Sequence, residues 1–166
     1  LVKKQTEYSD IISSINKYIA NNQIKFPSLD SLMFADRTSE GYLVSENDVK
    51  KINNLLSMSS VSSLIKSNNK IVWESDVLNF NIDSNTDNIS KFRRTYLVSA
   101  NPAISSGMIQ TPKAVVSDMG TDNAGQWVVN LDMTKEGRKR WAKFTGSNIN
   151  RQVAIILDGL VFMAPY

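Results

Sequence analysis

The 166-residue chain contains no cysteine and no histidine. Without cysteine there are no disulfides, no thiolate metal ligands and no thiol nucleophile, a composition compatible with an oxidising compartment. Without histidine there is no Ser-His-Asp triad, no imidazole metal ligand and no imidazole proton shuttle, which removes most hydrolase chemistry. Long apolar runs are missing as well. No stretch approaches the roughly 18–20 consecutive apolar residues of a membrane-spanning helix, and no secretory leader opens the chain. Nor does charge of one sign dominate: 19 Lys and Arg against 16 Asp and Glu leave a net charge of +3, and no nucleic-acid-binding motif accompanies it. What the chain does have is a hydrophobic content of 42%, enough at this length for a real core in one domain or two small lobes.

Motifs that would carry chemistry are fragmentary. Ser14 to Lys17 and Ser63 to Lys66 match the S-x-x-K pattern of penicillin-binding enzymes, but the partner K-T-G is absent and a chain this rich in serine and lysine produces such matches by chance. Asp83, Asn85 and Asp87 imitate the opening of a calcium loop, yet its sixth position is Asn88 rather than Gly and its twelfth is Arg94 rather than Glu. Asp118, Asp122, Asp132 and Asp158 fall near turns or strand ends, where local backbone bonding accounts for them. The expectation is a protein that is not an enzyme and holds no cofactor or metal.

Periodicity defines the elements. Tyr8, Ile11, Ile12, Ile15 and Ile19 recur at helical spacing and predict an amphipathic helix over 6–21 whose stripe docks on the body. Residues 23–44, with Pro27 and short apolar patches, read as an extended link with one strand. Ser45 and Asp48 form a capping-box-like start, with Asp in place of Glu or Gln, for a helix over 45–57 that buries Val49, Ile52, Leu55 and Leu56. A short helical turn is predicted near 60–66, and strands near 70–75, 94–100, 113–118, 126–132, 152–157 and 160–164. The stretch 79–90 is polar and turn-rich and reads as a loop.

The last forty residues carry the most information and read as one packed unit. Trp127, Val129 and Leu131 alternate with Val128, Asn130 and Asp132, so this strand has one apolar side and is expected half buried. Thr134 is the predicted N-cap of a helix over 134–145, with Glu136 at the positive end of its dipole. Trp141 and Phe144 supply that helix's apolar stripe, and Gly137 leaves room for close approach to a sheet. Lys135, Arg138, Lys139, Arg140 and Lys143 give it a basic face, to be read as a solvated outer surface or as a phosphate-binding one. Asp158-Gly159 between two apolar runs is a strong hairpin signal, because a type I′ turn needs positive φ at both central positions. Simple pairing sets Leu157 opposite Leu160, Ile155 opposite Phe162 and Val153 opposite Ala164, leaving Ile156, Val161, Ala154 and Met163 on the second face. Both faces are apolar, so the ribbon must be covered twice, or covered once and used for contact on the other side.

These residues resemble a known family. Gly137 after the Thr134 cap, the aromatic Phe144, Thr145, Asn148, then Ala154, Ile155, Leu157, Asp158 and Gly159, and finally Ala164 and Pro165, occur in the same order in the first extracytoplasmic domain of SecD and of fused SecDF, bacterial membrane proteins of protein export. Asn150 stands where the family usually has glycine, and Met163 where it usually has serine. Asn tolerates a left-handed backbone better than most residues. The match is motif-grade over 107–166 and extends more weakly upstream through GYLVSENDVKKINNLL (41–56), KIVWES (70–75) and TYLVSA (95–100).

The resemblance implies an α+β fold, an antiparallel or mixed sheet with helices packed on it and a C-terminal strand-helix-hairpin core. With the elements above, the chain reads as an N-terminal helical segment over 1–25 and a head-like domain over 26–166, expected to be excised from a larger membrane protein whose spans lie outside this sequence. The resemblance implies a place on the periplasmic side of the bacterial inner membrane, SecF and the SecYEG channel as partners, unfolded preprotein as client, and no nucleic acid. Two features could hold such a client: the hairpin strand Leu160–Ala164 as a sheet edge open to backbone pairing, and Met119, Val161 and Met163 as candidate preprotein contacts, Met being flexible enough to suit varied side chains. A stand-alone extracytoplasmic binding or adhesion module sharing the same core is the competing reading.

Overall fold

The computed structural model describes residues 1–81, 89–118, 120 and 124–166. The chain divides into two compact units, one formed by Leu1–Asn101 with Asn150–Tyr166 and the other by Pro102–Ile149. The final forty residues are therefore shared between the two, the hairpin belonging to the first unit and the preceding strand and helix to the second.

In the first unit, the isoleucine-rich stripe forms α1 (Gln5–Asn21), and Tyr8, Ile11, Ile12, Ile15 and Ile19 are all buried. Burial of side chains of this size contributes on the order of 1.5–3 kcal/mol each, as an upper bound. The helix ends where Gln23 takes a positive φ of 51°. Residues 23–44 hold more order than one strand in a link, because β1 (Met33–Ala35) and β2 (Tyr42–Ser45) form an antiparallel pair. α2 (Glu46–Ser57) and α3 (Ser59–Ser62) follow. Ser45 occupies the N-cap position of α2 but makes no side-chain capping bond; Glu46 in the first turn instead pairs bidentately with Arg93, at 2.8 and 3.0 Å.

Five further strands complete the sheet: β3 (Asn69–Glu74), β4 (Leu78–Asn81), β5 (Ile89–Ser99), β8 (Ile155–Leu157) and β9 (Leu160–Met163). Its order is β1-β2-β5-β3-β9-β8, with β4 also paired to β5. All neighbours are antiparallel except β3 and β9, which run parallel, so the sheet is mixed, the fold α+β as the resemblance implies. Part of the polar stretch expected as a loop is strand: Leu78–Asn81 pairs with β5, and Phe80 meets the Phe92 ring edge-on at 5.6 Å. The calcium-like Asp83, Asn85 and Asp87 lie outside the described residues.

Over Tyr96–Val98, β5 is apolar on both faces because both are covered there. On one face α1 and α2 pack over Tyr42, Val44 and Leu97, with Ile71 and Trp73 at the margin. On the other, Tyr96, Val98 and Val72 join Val2 and Val161 in a smaller core edged by Ala154, Ile156 and Ala164. Between them Thr95 is buried, its hydroxyl within 3.1 Å of the Tyr8 hydroxyl and of the Val72 carbonyl.

The second unit is slighter. β6 (Lys113–Val116) and β7 (Trp127–Asn130) form a two-stranded antiparallel ribbon, and α4 (Lys135–Gly146) follows. Thr134 caps α4 as predicted, accepting from the Gly137 amide at 3.1 Å. A Cβ at Gly137 would lie 2.6 Å from the Met108 carbonyl oxygen, so the close approach is to the 3-10 turn Ser106–Met108 rather than to a sheet. The expected half-burial of β7 is reversed: Trp127 is 74% and Val129 63% exposed. Their ribbon partners on that face, Val116 and Ala114, are exposed too.

Candidate functional site

The C-terminal hairpin is built as the Asp-Gly signal requires, with φ of 49° at Asp158 and 81° at Gly159. Leu157 faces Leu160 and Ile156 faces Val161, but the register then slips and Ile155 faces Met163. Phe162 is the extra residue of a β-bulge, not the partner of Ile155. A bulge changes which face the following residue occupies. Ile156 and Val161 point into the smaller core; Ile155, Leu157, Leu160 and Met163 share the opposite face.

That outer face is open. Met163 is 54%, Phe162 54% and Leu157 52% exposed, and Leu160 is partly exposed. Leu160 sits beside Trp73 in the parallel pairing with β3, on the side of the sheet where α2 ends its cover by accepting from the Trp73 indole at Asn53. Trp73 also lines a shallow groove with Leu56, Ile65 and Ile71. Apolar surface therefore runs from this groove over the edge of the helices onto the hairpin.

The opposite side of the hairpin is anchored by polar groups. Glu74, the register neighbour of Val161, is buried, and burial raises its pKa, partly offset by Arg94 and reinforced by Asp76 and Asp36. Asp36 shares Arg94. Burial acts to raise its pKa as well, but hydrogen bonds from the Thr38 backbone and hydroxyl, from Arg94 and from Ser39 outweigh it and leave it lowered. The Arg93 bond to Glu46 lowers the pKa of that carboxylate, while Arg93 also donates to the Glu74 and Ser75 carbonyls. Gln152, nearly fully buried, donates to the Ala164 carbonyl and accepts from the Glu40 amide, each at 2.8 Å. The Val153 amide donates to the Pro165 carbonyl at 2.8 Å.

Of the candidate contacts, Val161 is 0% exposed and belongs to the smaller core, which leaves it no surface for a client, and the bulge sets Met163 on the other face. Met119 lies outside the described residues. Met163 stands on the open face, joined there by Leu157, Leu160 and Phe162. The predicted pairing already set Phe162 on the face of the two leucines; nothing in the sequence marked the bulge that brings Met163 to that face.

The motif residues have definite places. Gly137 is buried against Met108, the Thr145 hydroxyl donates to the Trp141 carbonyl at 2.9 Å, and the Asn148 amide donates to the Phe144 carbonyl at 2.7 Å. Asn150 has a φ of 60°, the left-handed backbone that its replacement of glycine requires. Ala154 and Ala164 are small enough to lie against the lesser core. The S-x-x-K serines are used locally, Ser14 donating to the Asp10 carbonyl and Ser63 to that of Ser60. Among the described residues no cluster of acidic side chains could hold a metal ion, and no helix is long and apolar enough to cross a membrane.

Comparison with known proteins agrees with the motif. The chain is similar to the protein translocase subunit SecD of Acidaminococcus fermentans, 45% identical over 49 residues, which are 30% of this chain and 12% of that protein. It is similar to SecD of Aquifex aeolicus, 36% identical over 73 residues, 44% of this chain and 14% of that protein. It is also similar to SecD of Anaeromyxobacter dehalogenans, 32% identical over 75 residues, 45% of this chain and 12% of that protein. The matched stretches thus span about one eighth of these relatives' length. No solved structure matches the chain. The family model described as SecDF, P1 head subdomain matches residues 81–166, just over half of the sequence and including the hairpin and the capped helix, and the chain therefore belongs to the SecD/SecDF P1 family.

Proposed function

We propose that this chain is an extracytoplasmic part of a protein-translocation accessory subunit, standing on the periplasmic side of the bacterial inner membrane and working with SecF and the SecYEG channel. Its task is to hold emerging, unfolded preprotein and to move as a lobe while membrane-embedded parts of the protein use the proton gradient. The gradient exists only across the bilayer, so coupling belongs to ionisable groups within spans. No chemistry on the client is needed, and no enzyme activity is proposed.

The observation that supports client binding is the open apolar face around Met163, which continues from a sheet with a rigid, polar-anchored reverse side. A client of any sequence favours a shallow adaptable surface over an exact pocket, and a thioether adapts to varied side chains. Crosslinking from a photoreactive group at position 163 to a stalled translocating chain tests this. Labelling well above that from position 139 on the basic face of α4 is expected; labelling equal to that from position 139 would overturn the reading.

A further inference from the structure

The hairpin strand expected as an edge, Leu160–Ala164, is internal, since β9 pairs with β3 on one side and β8 on the other; the sheet ends on β8, and its outer edge has no strand partner among the described residues. In a two-residue hairpin the pair flanking the turn, Leu157 and Leu160, exchanges both backbone bonds, so at the next pair the backbone groups point away from each other. Val161 shows this directly: its carbonyl is turned to β3 and accepts from the Ser75 amide at 2.8 Å. The amide and carbonyl of Ile156, opposite Val161, are therefore turned outward along the free edge.

We infer that this edge is a strand-addition site, and that the unfolded client is held by backbone pairing to β8, an inference that rests on the client-binding reading above. An outward row of amide and carbonyl groups is complementary to one ligand chemistry above others, an extended polypeptide backbone, and such pairing is indifferent to client sequence. Side chains of the added strand alternate between faces. Those on one side extend over Leu157 and Met163; those on the other cover Ile156 and Ala154, which the lesser core leaves half-buried. The sheet's opposite edge, β1, is unlike this one. Both edge strands are three apolar residues that run into an aspartate, Asp36 after β1 and Asp158 after β8, but Asp36 is followed by a second charge, Arg37, of the kind that discourages pairing, whereas Asp158 is followed by the Gly159 turn. β8 is also pre-organised, because its partner β9 is locked to β3 and the hairpin's reverse side is held by Gln152 and the lesser core.

The test changes the probe rather than the protein, so folding is not at stake. A fluorescent peptide of alternating Val and Thr, with Lys at both ends, is titrated against the full chain in three forms: unmodified, N-methylated at one set of alternate amides, and N-methylated at the other set. Methylation of the edge-facing set is expected to weaken binding by about tenfold or more, the worth of one to two backbone hydrogen bonds, and methylation of the other set to leave it nearly unchanged. Amide hydrogen exchange at Ile156 is expected to slow when unmodified peptide is bound. Equal binding of all three forms would overturn strand addition and leave client binding by the apolar face standing. No binding of any form would also overturn it, with client binding then judged by the position-163 crosslink alone. Protection of the Ile156 amide in a concentration-dependent dimer without peptide would overturn it in favour of a second copy on the same edge.

Discussion

The two units solve the same problem to different depths. In the first, a seven-stranded sheet has a helix-covered core on one face and a second, smaller core on the other. In the second, Gly137 is the only residue buried among those described, while Trp127, Val129, Val116 and Leu131 are exposed. An isolated two-stranded ribbon is marginal in water, and an apolar patch of this kind marks a surface used for contact. The first unit has a deep core and also carries the exposed hairpin face; the second exposes apolar side chains over little core of its own.

The largest expected effect tests the deep core. Ile15→Ala empties a fully buried position facing the sheet and is expected to cost about 2–5 kcal/mol in urea unfolding. A loss of under 1 kcal/mol would mean that α1 is not part of the cooperative core. Next, Gly137→Ala drives a Cβ toward the Met108 carbonyl, backbone that cannot swing aside, at a cost of about 1–3 kcal/mol. Hydrogen exchange should rise in α4 and stay unchanged in β3 and β5. An equal rise in β3 and β5 would abolish the distinction between the units.

A smaller effect concerns acid. Because Glu74 holds its proton more tightly folded than unfolded, its contribution is present at low pH and lost as pH rises through the raised folded value. Asp36 has the opposite sign, its contribution being present above the unfolded carboxylate value and lost as pH falls through the lowered folded one. Glu74→Gln should therefore improve relative to the native chain as pH rises through the acid range, and Asp36→Asn should improve as pH falls. Chemical denaturation across that range reads both, and parallel curves for native and variant chains would refute the assignment. The smallest effect returns to the second unit: Trp127→Ser, at a position 74% exposed, should change stability by no more than about 0.5 kcal/mol while reducing binding of an apolar dye. A large loss of stability would show that the ribbon face is covered in solution.

Elements whose signal is local were legible in advance. α1 follows from isoleucines at helical spacing, the α4 start from Thr134, and the hairpin turn from Asp158-Gly159, since each depends on residues within a turn or two of one another. β1, β2 and β4 were not resolved as separate strands, because each is three or four residues long and is ordered by β5, whose partners lie far away in sequence. β7 shows the limit most clearly. Its alternation identified a strand with one apolar side, but alternation carries no information on whether that side meets a core. At the candidate site the sequence located Met163 and set Val161 beside it, while the bulge at Phe162 put them on opposite faces.

Taken alone, the sequence determined the chemistry available to this protein and its local geometry: no thiol or imidazole, helices where apolar residues repeat on one stripe, a type I′ turn where Asp precedes Gly, and the order of residues that marks the family. Tertiary structure decided what those elements are next to. The mixed sheet order, the pinning of the hairpin by Gln152, which also holds the Glu40 amide, and by the Ser75 amide on the Val161 carbonyl, and the division into a deeply packed unit and an exposed one arise from contacts between residues distant in sequence. A side chain's burial is a property of its neighbours in space, and periodicity along the chain cannot supply them.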